Sequence, residues 1–419
     1  MSNLIDIIND FSTPCNCGRD HFTTVKDICI GSGILSKTGD ILKKNHFPEN
    51  ILLVADTNTL RAAQGIEDSL CNFNVSKKIY DNIRVADMSH VEELENLIKN
   101  KDIAVLSVGT GSVNDPCRLA CARQNKMLCI FATAPSMDGF ASDSSPIVKA
   151  GFKSSYEAKS PEVIIGDTKI LAKAPVYLKS AGFGDMIAKY IGLIDWKISS
   201  ILTGEYYCEK VAALTKAAVD SLMQLADYVT VNNEETAGKI FESLLMTGIA
   251  MSFTKNSRPA SGSEHIIAHL IECLQLPQGI IPNFHGEDVG VCTLEMLKFY
   301  NKIAELEAVT GVKENVDWES VFNIYGTMAD EVRKLNFPEN IVDSVSPEKI
   351  GECWDEIREI IHSVPSYEDC KLAMSKAGCK LSVDDIGKDQ SFFDLCVKYS
   401  PYMRKRLTLL RLRDMIQPL

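Results

Sequence analysis

Four short apolar runs constrain the fold of this chain more than any other feature. They lie at residues 51–55, 103–108, 127–131 and 163–165. Each run is continuous and too short for a buried helix, which is typical of strands that are buried on both faces. Stretches predicted as helices, residues 58–70 and 116–124, lie between them. Strands that alternate with helices in this way form a parallel α/β sheet.

After about residue 170 the sequence changes to long helical periodicity. The predicted helices cover residues 185–202, 205–232, 235–247, 263–274, 289–307 and 318–335, and proline and glycine punctuate the helical sequence beyond them. A chain of 419 residues is large enough for two domains. We therefore predict an α/β N-terminal domain over residues 1–170 and an all-α C-terminal domain over residues 171–419.

The composition is that of a globular protein and excludes some partners. A formal charge of −12 argues against binding to nucleic acid or to an anionic membrane, although a local basic pocket could still hold a phosphate. No run of about 18 apolar residues and no leader-like N-terminus is present, so we expect a cytoplasmic protein. The 14 cysteines are scattered, which favours reduced thiols over disulfides.

One cysteine cluster has the spacing of a small metal-binding knuckle. It consists of Cys15, Cys17 and His21. No second cysteine pair follows nearby, as a complete zinc site would require. We therefore expect a plain loop here.

Three separate segments each contain a side chain that can ligate a metal ion, close to a glycine. Asp185 and His285 are both next to a glycine, and His265 lies three residues after one. One carboxylate and two imidazoles suit a single divalent ion that keeps an open coordination position. An open position is typical of a catalytic metal.

A glycine turn follows the apolar run at residues 103–108. Its sequence is Gly109-Thr110-Gly111-Ser112, and a predicted helix begins after it. Such a turn lets the backbone approach a pyrophosphate and directs amide groups at its negative charge. A strand-to-helix turn that needs glycine only for its conformation is the alternative.

Polar side chains follow two other predicted strands. Asp56 ends the run at residues 51–55, where a carboxylate can accept hydrogen bonds from a ribose and would repel a 2'-phosphate. This favours NAD(H) over NADP(H). Residues 133–139 follow the third run, and ligands bind at the carboxyl ends of parallel strands. An ordinary polar loop is the alternative at this position.

Together these residues resemble the sn-glycerol-1-phosphate dehydrogenases, the bacterial branch in particular, within the iron-containing alcohol dehydrogenase and glycerol dehydrogenase superfamily. The resemblance runs through most of the chain. Its most specific stretch is residues 257–265, Ser-Arg-Pro-Ala-Ser-Gly-Ser-Glu-His. The other matching stretches are Cys17-Gly18 and residues 111–115, 133–139, 184–190 and 285–287.

The resemblance implies a dehydroquinate synthase-like fold with a Rossmann-like dinucleotide-binding domain and a helical metal- and substrate-binding domain. It implies Asp185, His265 and His285 as the metal ligands and Asp138 as a carboxylate near the substrate. The residues that it implies for cofactor binding are Asp56, Gly109, Gly111, Ser112, Asp115, Thr133 and Ser136. One departure is Thr110, where the superfamily usually has a second glycine.

Two basic residues, Lys189 and Arg258, indicate which charge the substrate carries. Lys189 stands where iron-dependent alcohol dehydrogenases have a further His, and positions four apart on a helix share a face. A charged amine cannot ligate a metal, but it suits an anionic substrate; a surface salt bridge is the alternative. Arg258 is suited to bidentate phosphate contact, or to hydrogen bonds with loop carbonyls. For His269 we expect a supporting or core role rather than metal ligation.

The implied activity is metal-dependent, NAD(H)-linked interconversion of dihydroxyacetone phosphate and sn-glycerol 1-phosphate. A divalent ion stabilises the negative charge that hydride transfer builds on the carbonyl oxygen. One ion of zinc, nickel or iron per subunit fits the ligands. Asp138 or a water relay is the proton donor, with Asp138 and Lys189 as the catalytic residues. We expect a homo-oligomer, such as a homodimer.

Three alternatives stay open. The first is a glycerol or other polyol dehydrogenase of the same superfamily, whose substrate lacks a phosphate. The second is a sugar-phosphate cyclase similar to dehydroquinate synthase, which uses NAD transiently in a lyase reaction; its first ligand is usually Glu, whereas this chain has Asp185. The third is a nucleotide-binding protein without enzymatic activity.

Overall fold

The computed structural model describes residues 4–419 and has a six-stranded parallel sheet at its centre. The order of the strands across it is β1-β8-β5-β4-β2-β3. These strands are β1 (Asp27–Gly31), β2 (Asn50–Asp56), β3 (Asn74–Tyr80), β4 (Ala104–Gly109), β5 (Leu128–Ala132) and β8 (Val163–Asp167). An antiparallel hairpin, β6 (Ser144–Lys149) and β7 (Phe152–Glu157), stands outside this sheet. A parallel sheet in the N-terminal part confirms the predicted fold class.

Helices flank the sheet and make up most of the chain after it. The first part contains α1 (Leu4–Phe11), α2 (Thr38–Lys44), α3 (Thr57–Ala62), α4 (Met88–Ile98) and α5 (Gly111–Arg123). The middle part contains α6 (Thr168–Lys173), α7 (Val176–Ile187), α8 (Lys189–Thr203), α9 (Glu209–Met223), α10 (Glu234–Thr254), α11 (Ser263–Gln275) and α12 (His285–Ala304). The last part contains α13 (Trp318–Tyr325), α14 (Ala329–Asn336), α15 (Pro347–Glu352), α16 (Trp354–His362), α17 (Tyr367–Lys376), α18 (Gln390–Tyr399) and α19 (Leu409–Leu412).

A small sheet adds strand structure to the helical part. It pairs β9 (Val309–Gly311) with β10 (Ile416–Pro418) in antiparallel register. Among residues 4–419, no helix combines the length and the apolar character that crossing a bilayer would require.

The boundaries of several predicted helices differ from those observed. The helix predicted at residues 58–70 ends at Ala62, and the one predicted at 185–202 is two helices, α7 and α8, that meet at Ala188. Residues 205–232 form only α9 and a short 3₁₀ turn, and residues 318–335 are split between α13 and α14. Apolar periodicity shows which face of a helix is buried. It continues across a helix break when the helices on both sides of the break pack on the same core, so it does not locate the break.

Strands β1 and β3 at the sheet edges and the β6–β7 hairpin were not predicted. The sequence of β3, Asn-Val-Ser-Lys-Lys-Ile-Tyr, is polar, and most of its residues are at least partly exposed. No residue of β3 is fully buried, so its sequence has no need of a long apolar run. The sequence signal used for the central strands is therefore absent from it.

Both faces of the central sheet are buried, which explains its continuous apolar runs. In β2, Leu52 and Val54 join one apolar cluster, whereas Ile51, Leu53 and Ala55 join another on the opposite face. The cluster of Leu52 and Val54 also contains residues of α10, among them Phe241 and Leu245. The helical part thus packs directly on the sheet. The domain boundary near residue 170 stays a prediction.

Helices α7 and α12 approach each other through glycines. A Cβ at Gly184 would lie 2.5 Å from the carbonyl oxygen of Gly286, and a Cβ at Gly286 would overlap the carbonyl oxygen of Ala181. A Cβ at Gly290, one turn further along α12, would lie 3.2 Å from the Cα of Gly184. Side chains at these positions would separate the two backbones. The glycines therefore set the spacing of the helix ends that carry Asp185 and His285.

We predict that Gly286→Ala lowers the free energy of unfolding by about 3 kcal/mol, at the upper end of the usual cost of overpacking, because a backbone carbonyl must move to admit the methyl group. Urea denaturation followed by circular dichroism measures this effect. Lys302→Ala, at an exposed position of the same helix, is the matched control and should stay within about 0.5 kcal/mol of the parent. Equal stability of the two variants would contradict the close-contact argument.

Candidate functional site

A cavity of about 910 Å³ lies at the carboxyl ends of β2, β4 and β5 and reaches the helical part. Parallel strands end at one edge of the sheet, so the loops that follow them meet there. The predicted site residues that line this cavity are Asp56, Gly111, Ser112, Asp115, Thr133, Ser136, Asp138, His265 and His285. The cavity lining omits Gly109, Asp185, Lys189 and Arg258.

Asp185, His265 and His285 come together beside this cavity, and the two histidines line it. Their ligand atoms, one from each residue, lie within 4.8 Å of one another. Asp185 lies near the end of α7, His265 lies in the first turn of α11, and His285 is the first residue of α12. The start of α11 is held by Asp195 Oδ2, which accepts a hydrogen bond of 2.8 Å from the backbone amide of Ser263. Three separate helices thus contribute one donor each.

The protonation states of Asp185 and His285 suit metal binding. Burial alone would raise the pKa of Asp185, but Lys189 and His265 hold it well below its usual value, so the group is a carboxylate. Burial, together with the positive charge of Lys153, lowers the pKa of His285, so its imidazole is neutral. A carboxylate and neutral imidazoles are the forms in which these side chains ligate a divalent ion.

Glu264 orients His265. The Oε1 atom of Glu264 lies 2.6 Å from His265 Nδ1, and both residues are buried. His265 Nδ1 therefore donates to the carboxylate, and Nε2 lies 3.4 Å from Asp185 Oδ1. Burial would lower the pKa of His265, but Asp185 and Glu264 raise it, so a metal at Nε2 has to displace a proton. A carboxylate in this position fixes the tautomer of a ligating His and makes it a stronger donor. Glu264 was not predicted as a site residue, although it precedes a proposed ligand.

Lys189 is buried between two carboxylates. Its ammonium lies 2.7 Å from Asp138 Oδ2 and 2.8 Å from Asp185 Oδ1, and the side chain is fully inaccessible. Burial would lower the pKa of Lys189, but Asp138 and Asp185 raise it, so the amine is charged. It lies beside the three-residue cluster as expected. Lys189 does not line the cavity, however, and its side chain is buried. The structure therefore contradicts both a direct contact between Lys189 and an anionic substrate and a salt bridge between Lys189 and a surface acid.

Asp138 links the cluster to the open cavity. Its backbone amide donates to Asp185 Oδ2 over 2.9 Å, and its carboxyl group pairs with Lys189. Burial and the nearby charge of Asp185 raise the pKa of Asp138. A carboxyl group with a raised pKa that lines the cavity can carry a proton there.

His269 completes a group of three imidazole rings. Its ring is stacked on that of His285, with centroids 5.6 Å apart, and is edge-on to that of His265 at 6.1 Å. Burial and the charge of Lys153 lower the pKa of His269 well below its usual value. It lines the cavity and lies outside the set of close ligand atoms, and its supporting role stays a prediction.

The glycine turn forms the start of α5 and faces the cavity. Thr110 is the residue that precedes the helix, and no side chain caps the first turn by a hydrogen bond. The free amide groups of such a turn, with the positive end of the helix dipole, favour an anion. Thr110 has φ −128, an extended conformation that any residue adopts. The departure from glycine therefore imposes no backbone strain.

Asp56 caps α3 and also lines the cavity. Its Oδ1 atom accepts hydrogen bonds of 2.8 Å from the amides of Asn58 and Thr59. Asp115, on the neighbouring helix α5, pairs with Arg118 at 3.0 Å, and burial raises its pKa to about 6. Thr133 and Ser136 are both buried in the loop after β5.

Arg258 does not reach the cavity. Its Nε donates to Glu205 Oε1 over 2.8 Å, its NH2 pairs with Oε2 of the same residue, and its NH1 donates to the carbonyl oxygen of Leu407 over 2.9 Å. The residue is 2% exposed. A guanidinium that is buried and fully engaged cannot bind the phosphate of a substrate in the cavity. The predicted phosphate contact is therefore wrong, and the alternative of structural hydrogen bonds describes this residue.

Lys153, which was not predicted, supplies a cation at the cavity wall. It lies on β7, and its ammonium is 2.6 Å from Glu272 Oε2. Lys153 lines the same cavity as His269 and His285, and after burial its charge is the largest cause of the lowered pKa of both histidines. The hairpin that carries it was not predicted either, so no sequence signal pointed to this position.

The chain is similar to known proteins in both sequence and fold. Residues 29–175 match the family of iron-containing alcohol dehydrogenases. A glycerol-1-phosphate dehydrogenase of Halalkalibacterium halodurans is 26% identical over 98% of both chains, and one of Thermococcus sibiricus is 32% identical over 65% of this chain and 76% of its own. The crystal structure of NADH-dependent butanol dehydrogenase A from Thermotoga maritima matches with a TM-score of 0.59 at 15% identity, over 95% of this chain and 94% of that one.

We predict that Glu264→Gln weakens zinc binding at the Asp185–His265–His285 cluster about tenfold, and Glu264→Ala up to about 100-fold, because His265 loses the group that orients it. Competition with a chromophoric chelator measures the affinity. Glu295→Gln removes a surface carboxylate that pairs with Lys298 and is the control. Unchanged affinity in both Glu264 variants would show that His265 needs no such support.

Proposed function

This chain belongs to the glycerol-1-phosphate dehydrogenase family, and we propose that it interconverts dihydroxyacetone phosphate and sn-glycerol 1-phosphate with a pyridine nucleotide and a divalent metal. The single observation that supports this most strongly is the cavity. One continuous space connects the amide groups at the start of α5 with the imidazoles of His265 and His285. A dinucleotide and a small substrate can therefore meet inside it.

The nucleotide is proposed to lie along the sheet edge. The first turn of α5, with Gly111 and Ser112, faces the pyrophosphate, and Asp56 faces the adenosine ribose. Thr133 and Ser136 also line the cavity, in the loop that leads to Asp138, and are proposed to face the nicotinamide. This order brings the nicotinamide end to the metal-type cluster, where the reduced cofactor supplies the hydride.

Asp185, His265 and His285 are proposed to hold the metal. Two nitrogens and one oxygen suit zinc, and nickel or iron also fits this donor set. The bound ion supplies Lewis-acid stabilisation of the charge that develops on the substrate carbonyl oxygen. Glu264 keeps the His265 ring in place, while Lys189 compensates the negative charge of Asp185.

Asp138 is proposed as the residue that exchanges a proton with the substrate oxygen. It lines the cavity, its carboxyl group has a raised pKa, and Lys189 holds it in place. Lys189 is accordingly a positioning residue rather than one that touches substrate. Because Lys189 pairs with both Asp138 and Asp185, it couples the proton site to the metal site.

Lys153 replaces Arg258 as the proposed phosphate contact. It is the cation whose charge acts on both His269 and His285, and its partner Glu272 also lines the cavity. A substrate phosphate near the cluster can compete with Glu272 for the ammonium of Lys153.

The homo-oligomeric state and the identity of the physiological metal stay predictions.

We predict that Lys153→Met raises the KM for dihydroxyacetone phosphate roughly 10- to 100-fold, the value of a lost charge-assisted hydrogen bond, and changes turnover of dihydroxyacetone little. NADH oxidation assays on both substrates, repeated with added zinc and nickel, measure this. Lys149→Met, at an exposed position of the same hairpin, is the matched control. A preference for dihydroxyacetone or glycerol in the parent enzyme would favour a polyol dehydrogenase instead.

We predict that the enzyme prefers NADH and that Asp56→Asn shifts the ratio of kcat/KM values toward NADPH by roughly tenfold, as expected for a partly solvated charge pair. Asparagine keeps the helix cap and removes only the charge that would repel a 2'-phosphate. Asp87→Asn makes the same change at the cap of α4, outside the cavity, and should leave the ratio unchanged. If Asp56→Asn also leaves the ratio unchanged, Asp56 does not face the ribose.

A further inference from the structure

A second cluster of side chains that can ligate a metal ion lies apart from the cavity. It consists of Cys15, Cys17, His21 and Cys208, whose ligand atoms all lie within 4.8 Å of one another. None of the four residues lines the cavity, and the proposed function uses none of them. The sequence pattern of Cys15, Cys17 and His21 is an incomplete knuckle. Cys208 supplies the missing fourth donor from nearly 200 residues away along the chain.

The distances between the donor atoms match those around a tetrahedral zinc ion. Zinc–sulfur bonds of about 2.3 Å and zinc–nitrogen bonds of about 2.05 Å place two sulfurs about 3.8 Å apart and a sulfur and a nitrogen about 3.5 Å apart. Cys15 Sγ and Cys208 Sγ are 3.7 Å apart. His21 Nε2 is 3.3 Å from Cys17 Sγ and 3.4 Å from Cys208 Sγ. A disulfide would require the two sulfurs at about 2.05 Å.

Residues around the cluster orient its donors. His21 Nδ1 is 3.1 Å from the carbonyl oxygen of Phe253, so Nδ1 carries the proton and Nε2 presents its lone pair to the three sulfurs. The hydroxyl of Tyr206 lies 3.3 Å from Cys17 Sγ and can donate to a thiolate there. Outer hydrogen bonds of this kind are typical of ligands that bind a metal.

The fold holds the four residues in place from two directions. Gly18, with φ +78, turns the chain after Cys17, and its amide donates to the carbonyl oxygen of Cys15. Cys208 is the residue that precedes α9, where the helix dipole stabilises a thiolate. His21 is buried. Such a closed set of four donors leaves no position for a substrate, which is typical of structural zinc sites.

We propose that Cys15, Cys17, His21 and Cys208 bind a structural zinc ion that fastens the N-terminal segment to the helical part. Three thiolates and one imidazole select zinc over the harder divalent ions. The ion joins the segment before β1 to the start of α9, close to the end of α10. It is separate from the metal held by Asp185, His265 and His285, because the two sets share no residue.

X-ray absorption at the zinc edge tests the proposal on the unmodified protein. The protein is purified under reducing conditions and dialysed against EDTA, which removes an ion from an open site more readily than from a closed one. We expect about one zinc per chain to remain, with a first shell of three sulfurs and one nitrogen. A retained zinc with only nitrogen and oxygen neighbours, or no retained zinc with titratable or disulfide-bonded cysteines, would overturn the proposal.

Cobalt substitution and variants separate the two metal sites. With cobalt, thiolate-to-metal charge-transfer absorption should be present in the parent and in Asp185→Asn, and weaker in Cys208→Ser, which keeps only two of the three thiolates. Cys71→Ser, at an exposed cysteine outside the cluster, should keep both the metal content and the absorption of the parent. Charge-transfer absorption of undiminished intensity in Cys208→Ser, or its absence from the parent, would contradict the assignment. The parent spectrum decides the matter even if Cys208→Ser fails to fold.

Discussion

The close contact between α7 and α12 is the constraint on which the arrangement of the site depends. Asp185 and His285 lie at the ends of these two helices, and their donor atoms can share an ion only if the backbones nearly touch. Gly184, Gly286 and Gly290 provide that approach, because a Cβ at Gly184 or Gly286 would overlap a backbone carbonyl oxygen and one at Gly290 would lie only 3.2 Å from the Cα of Gly184. The glycines that stand beside the proposed ligands in the sequence are therefore packing residues. They bind nothing themselves.

Charge compensation is the second requirement at the site beside the cavity. Asp185 and Asp138 are buried close together, and each would be destabilised by burial and by the negative charge of the other. Lys189 lies between them and relieves both effects. The same lysine lies one helical turn after Asp185, and a charged amine cannot ligate a metal, so the cluster consists of one carboxylate and two imidazoles.

Much of the fold and the outline of the site could be predicted from local sequence. The strands at residues 51–55, 103–108, 127–131 and 163–165 were all correct, because strands buried on both faces are apolar throughout. The glycine turn and the Asp185, His265 and His285 set were visible as short patterns. The roles of Arg258 and Lys153 were not, since both depend on partners distant in sequence: Glu205 and Leu407 hold Arg258, and the unpredicted β6–β7 hairpin carries Lys153.

The sequence by itself determined the parallel sheet, the helical part after it and the types of side chain available for chemistry. Apolar periodicity and residue type are local properties, so they can be read directly from the amino-acid sequence. Only the tertiary structure decided which of those side chains meet. It enclosed Lys189 between two carboxylates, kept Arg258 out of the cavity and brought Cys208 to Cys15, Cys17 and His21. Contacts between residues hundreds of positions apart depend on packing, which no local pattern records.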